Sequence, residues 1–132
     1  MAEGRLKIVV FGSFNAGKSS LIQALDPRSR HVEATSNEGA TTVAFDFGRL
    51  QVRGQAVYLF GTPGQERFEF VRQILSRGMD GAIIVVDATT GVDAMTRHLY
   101  GQLKALGVPL AFMANKCDCP GAAPEAIHRD LP

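Results

Sequence analysis

The chain has 132 residues, room for one domain with one core, and 45% of them are hydrophobic against 20% charged. Fourteen Lys and Arg balance thirteen Asp and Glu to a net charge of +1, which excludes a chain held open by its own charge and offers no basic field for nucleic acid. Unbroken apolar runs such as Ala82–Val86 fall far short of the roughly 18 residues a membrane helix needs, so no integral membrane segment is expected.

The first apolar run, Leu6–Phe11, reads as a strand and is too short for a secretion signal. A helical segment follows over Ser19–Leu25 and stops at Asp26-Pro27. His31–Ala40, rich in Thr, Ser, Asn and Gly, reads as a loop. Over Thr41–Val52, Val43, Phe45 and Phe47 alternate with Thr42, Ala44 and Asp46, and Arg53-Gly54-Gln55 turns the chain into Ala56–Phe60. That pattern predicts an antiparallel hairpin. Glu66–Ser76 carries Phe70, Ile74 and Leu75 at helical spacing. Ala82–Val86 is a strand buried on both faces. Val92–Leu106 places Met95, Leu99, Leu103 and Leu106 on one helical face and ends at Gly107. Val108–Ala114 is a further strand, and Pro124 is a good first residue for a last helix. Strands alternating with helices predict an α/β fold, a three-layer sandwich on a mostly parallel sheet with one antiparallel hairpin strand.

Two motifs carry chemistry. Gly12-Ser13-Phe14-Asn15-Ala16-Gly17-Lys18-Ser19 fits G-x-x-x-x-G-K-[ST], with a strand before it and a helix after it. Gly12 and Gly17 let successive N–H groups of the loop face inward on an anion, and the helix that follows adds its positive end. Lys18 then reaches the β- and γ-phosphates, and the Ser19 hydroxyl ligates Mg²⁺. Asn15, Ala16 and Ser20 complete the phosphate-binding set. Asn115-Lys116-Cys117-Asp118 follows the last strand, where ligands of open α/β sheets sit. The Asp118 carboxylate can accept from N1–H and the amino group of guanine, a donor pair that adenine lacks. The Lys116 stem can lie along the base, and Asn115 can brace the phosphate loop.

With Thr41-Thr42 and Thr62-Pro63-Gly64-Gln65-Glu66 between them, these motifs resemble the Ras-like small GTPases over about residues 5–118. The runs 41–50 and 60–68 are similar to the bacterial branch: the gliding-motility polarity switch and actinobacterial ATP/GTP-binding proteins that act with roadblock-type partners. The resemblance implies a P-loop NTPase fold and a small GTPase G domain over residues 1–132, with GTP or GDP and Mg²⁺ as cofactors. It implies that Thr42 ligates Mg²⁺ beside Ser19 and that the Gly64 N–H touches the γ-phosphate. It makes Gln65 and Lys18 the catalytic residues, Gln65 by orienting the attacking water.

Three departures from the family stand out. Gly61 occupies the place of an Asp that holds Mg²⁺ through water, which predicts weak Mg²⁺ binding, with Asp46 and Asp87 the two acids placed to substitute. Phe14 is bulky where the family has a small residue. The chain reads as short of the family's last strand and helix, which predicts that Val108–Ala114 is an exposed edge open to self-association or a partner. Cys117 and Cys119 read as free thiols of a reduced, cytoplasmic protein, and Phe68 with Phe70 as either core or an effector patch. Arg49, Arg67 and Arg72 read as solvated surface charges, with an arginine finger in cis as the alternative, and His31, His98 and His128 as scattered. The expected function is a slow GTP-hydrolysing switch that signals to a regulatory or effector protein. The alternative is a guanine-nucleotide scaffold without hydrolysis.

Overall fold

The computed structural model describes residues 5–12, 16–35, 42–62 and 75–115. Six strands form one sheet: β1 (Arg5–Gly12), β2 (Arg30–Thr35), β3 (Thr42–Val52), β4 (Gln55–Gly61), β5 (Gly81–Asp87) and β6 (Leu110–Asn115). Their spatial order is β2-β3-β4-β1-β5-β6. β1 lies parallel to both β4 and β5, and β5 is parallel to β6. β3 pairs antiparallel with both β4 and β2.

The predicted hairpin is present, turned by Arg53 and Gly54, both at positive φ. The loop expected over His31–Ala40 is corrected in its first half. His31 pairs with Asp46 and Val32 with Phe45 in a strand that adds a second antiparallel partner to β3. The period-2 signal is weak in Arg-His-Val-Glu-Ala-Thr, because an edge strand needs only one face to be apolar and here its side chains are mostly polar.

The described helices are α1 (Lys18–Leu25) and α2 (Ala94–Leu106). α2 starts two residues later than its hydrophobic spacing suggests. Asp93 caps it, accepting from the Thr96 N–H at 2.8 Å and the Thr96 hydroxyl at 2.7 Å, and Gly107 ends it at φ 72°. His98 is exposed, as expected from its place on the helix. The other predicted helix, Glu66–Ser76, lies outside the described residues up to 74, as does the one from Pro124.

Alternation along β1 and β5 splits the core into two layers. Val9, Phe11, Ala82, Ile84 and Val86 face α2 and pack on Leu99 and Leu103. Val10 and Val85 point the other way, onto Ile22 of α1 with Val57 and Leu59 of β4. The helices therefore cover opposite faces, the expected three layers. Burying each of these Val, Ile, Leu and Phe side chains stabilises the fold by about 1.5–3 kcal/mol.

Candidate nucleotide-binding site

Four parallel strands, β1, β4, β5 and β6, deliver their carboxyl ends to one edge of the sheet, and the two motifs meet there. β1 runs out at Gly12 and the chain returns at Ala16, which is buried, to begin α1 at Lys18. Gly17 stands at the helix entrance in the left-handed region, φ 106° and ψ 24°. A side chain is strained in that backbone. A Cβ there would also overlap Asn115 Nδ2, so glycine is required twice over. No side chain caps the N-terminus of α1. Among the described residues, the entrance to this helix is bare backbone, as a phosphate needs it.

Lys18 is only 8% exposed, and its Nζ donates to the Gly12 carbonyl at 2.9 Å. A lysine in the first turn opposes the helix dipole, and burial costs it further. Both penalties are offset when the ammonium meets an anion. The Asn115 side chain reaches back from the end of β6 and donates to the Ala16 carbonyl at 2.9 Å. The expected brace between the second motif and the phosphate loop is therefore present.

Thr62 is buried just past β4. Its N–H and its hydroxyl both donate to the Val10 carbonyl, each at 3.0 Å. This pair of hydrogen bonds fastens Thr62 to β1, a role the sequence pattern did not suggest. A buried threonine hydroxyl with one carbonyl in reach was its only signal.

On the other side of α1, the Ser19 hydroxyl donates to Asp46 Oδ2 of β3, while Asp46 Oδ1 lies 3.0 Å from His31 Nδ1 of β2. These residues, with Gln23, Ser29 and Arg30, line a polar cavity of about 290 Å³. Sequence spacing placed Asp46 and Asp87 equally as substitutes for the acid missing at position 61. The structure separates them. Asp87 Oδ1 accepts from the N–H and hydroxyl of Thr89, so it serves a turn at the end of β5. Asp46 points at the Ser19 hydroxyl.

A hydroxyl beside a carboxylate is a hard oxygen pair and suits Mg²⁺. Among the described residues no three His, Cys, Asp or Glu side chains gather into a cage. Thr42 opens β3 opposite Thr35. Asn15, Gly64, Gln65, Lys116 and Asp118 lie outside the described residues, as do Phe14, Phe68, Phe70, Arg67, Arg72, His128 and both cysteines.

The fold, with a strand running into the Gly-Lys-Ser start of α1, defines a P-loop NTPase. The family model for the elongation factor Tu GTP binding domain matches residues 3–131, and the chain belongs to that family. The uncharacterized protein MJ1339 of Methanocaldococcus jannaschii is 35% identical over 118 residues, covering 89% of this chain and 74% of its own length. Translation initiation factor IF-2 of Clostridioides difficile is 33% identical over 125 residues, 94% of this chain but 19% of that factor. The chain thus spans about a fifth of such a relative. Among solved structures, elongation factor SelB of Methanococcus maripaludis, in complex with the GTP analogue GppNHp, superposes with a TM-score of 0.72 at 23% identity, over 94% of this chain and 24% of SelB. The Arl6 small GTPase of Trypanosoma brucei, with bound GppNp, gives 0.65 at 23% identity, over 96% of this chain and 77% of its own. The match of family places the chain among translation-factor-like GTPases, a coarser assignment than the bacterial motility branch that the runs 41–50 and 60–68 resemble.

Proposed function

We propose that this domain is a GTP-driven switch that binds Mg²⁺·GTP, hydrolyses it slowly and signals to a protein partner through the segments around Thr42 and Gly64. The observation that carries the reading is the Asn115–Ala16 bond, which fastens the start of the base-reading tetrapeptide to the phosphate loop. One ligand with a phosphate end and a base end would satisfy both. In this reading Lys18 sits on the β- and γ-phosphates, Ser19 and Thr42 hold Mg²⁺, and Asp118 reads guanine. The metal supplies charge neutralisation for the departing phosphate. Gln65 orients water against the γ-phosphate. Phe14 replaces the family's small residue at this step of the phosphate loop, which favours slow turnover without a partner.

The runs 41–50 and 60–68 favour a cytoplasmic regulatory or effector protein as that partner, of the roadblock type. Gly61 and Phe14 favour the second reading, a guanine-nucleotide scaffold without hydrolysis. One experiment separates them: identify the nucleotide on the purified protein, then follow phosphate release with GTP and Mg²⁺. Two hydrogen bonds to a carboxylate are worth roughly 1.5–3 kcal/mol each, so GTP should outcompete ATP by several decades. Asp118→Asn should turn the preference toward xanthosine triphosphate, and Gln65→Leu should slow phosphate release. Equal affinity for ATP and GTP would reject the guanine reading, and no phosphate release would select the scaffold.

A further inference from the structure

Position 61 is the weak point of the site as the sequence presents it, because glycine there brings no carboxylate to the metal. The structure shows what occupies the space instead. Gly61 and Asp46 are direct cross-strand partners on β4 and β3. A Cβ built on Gly61 would lie 3.3 Å from Asp46 Cβ and 3.6 Å from Asp46 Oδ2. The Asp46 carboxylate thus lies beside the space that a side chain on residue 61 would enter, and reaches it from the neighbouring strand. The same Cβ would lie 2.7 Å from Ile22 Cδ1, and Ile22 is fully buried. Glycine at 61 is the residue that lets α1 and the Asp46 side chain close over β4.

Asp46 is also aimed. Its Oδ2 accepts a hydrogen bond from the Ser19 hydroxyl. A serine hydroxyl that must give a lone pair to a cation needs its proton held elsewhere, and a carboxylate is the strongest acceptor for it. Its Oδ1 lies against His31 Nδ1, so the carboxylate is held from both sides. We infer that Asp46 is the positioning residue of the Mg²⁺ site. It supplies from β3 the negative charge and the serine orientation that the family draws from the end of β4. This rests on the GTP reading above, and it replaces the expectation of a weak metal site with that of a relocated one.

The test is the release rate of a fluorescent GDP analogue from the purified protein, measured against free Mg²⁺ and again in excess EDTA. Asp46→Ala should move the Mg²⁺ half-point up by roughly 10–100-fold and speed release at millimolar Mg²⁺, with release in EDTA unchanged. Asp46→Asn keeps the size and one acceptor oxygen but not the charge, so it should fall between the two. Gly61→Asp alone should not lower the half-point, because it crowds Ile22 and sets two carboxylates side by side. In the Asp46→Ala background the same Gly61→Asp change should bring the half-point back toward wild type, a rescue that a merely structural role would not produce. A wild-type half-point in folded Asp46→Ala and Asp46→Asn overturns the inference, as does tighter Mg²⁺ in Gly61→Asp alone. Failure of the GTP reading looks different: no analogue binds to the wild-type protein.

Discussion

The β2–β3–β4 flank meets the phosphate loop through a carboxylate, and the β5–β6 flank meets it through an amide. Asp46 of β3 accepts a hydrogen bond from the Ser19 hydroxyl at the start of α1, and Asn115 of β6 donates to the Ala16 carbonyl two residues before it. The amide bond is neutral and makes no demand on ligand or metal, so it shapes the loop at all times. The carboxylate carries charge, so its effect depends on a cation. The outer strands differ in the same sense. Arg30 and His31 of β2 are exposed, and charged or polar side chains there discourage further strand pairing. Phe112 and Met113 of β6 are 38% and 39% exposed, apolar, and last in the sheet order among the described residues. One flank ends in a polar outer strand. The other is built for packing and leaves apolar surface uncovered.

The amide side can be broken most severely at Gly17. Gly17→Ala strains a left-handed backbone, about 1–3 kcal/mol, and displaces Asn115, about 1 kcal/mol more. GDP affinity by calorimetry should fall roughly 30–1,000-fold. Asn115→Ala in the same chain should remove the overlap but not the strain, so the double variant should bind better than the sum of the two losses.

Asn115→Ala alone should cost about 0.5–1.5 kcal/mol, a roughly two- to twelvefold loss of GDP affinity. The contrast between the flanks predicts that this loss is equal with Mg²⁺ and with EDTA, whereas the effect of Asp46 substitutions appears only with Mg²⁺. An Asn115→Ala loss that vanishes in EDTA would erase the distinction.

At the outer strands, the apolar edge of β6 should pair with a second chain as concentration rises. Sedimentation should show association in the wild type and a monomer in the Phe112→Lys, Met113→Lys double variant. Equal sedimentation would show that edge exposure alone does not drive pairing here. The His31→Ala variant, at the polar edge, should sediment as the wild type does.

The smallest effect concerns Asp26, which ties the end of α1 to β3. Its carboxylate accepts from the Arg49 N–H at 2.8 Å and the Arg28 N–H at 3.0 Å. The bond from Arg49, then that from Arg28, hold its carboxyl below the usual carboxylate range. A depressed value means the stabilisation is whole above the unfolded value of about 3.9 and is lost as pH falls through the folded one. Melting temperatures of wild type and Asp26→Asn should therefore differ most near neutral pH and converge below about pH 3. A gap that widens in acid would mean that Asp26 is protonated in the fold.

The class of this protein was legible before any coordinates, because it rests on local chemistry. A phosphate loop needs glycine, lysine and serine at set steps between a strand and a helix, and Gly12–Ser19 carries them in that context. The strands β1, β3, β4, β5 and β6 were equally plain, since buried runs and the alternation of Val43, Phe45 and Phe47 are short-range signals. β2 was not, because an edge strand's pairing is decided by its neighbour and not by its own apolar pattern. The family resemblance stopped at a similar boundary: the motifs carried it to the GTPase superfamily, and the branch rests on runs that the family match leaves open.

What only the tertiary structure decided is which acid faces the serine. Asp46 and Asp87 are both short acids at strand positions near the site, and nothing in either local sequence separates them. Register does: β3 sets Asp46 opposite Gly61 and beside α1, while Asp87 turns back on Thr89. Spacing along a chain specifies a loop that one segment builds alone. A carboxylate shared between a helix and two strands is specified by how those elements pack, and glycine at 61 makes room for that packing.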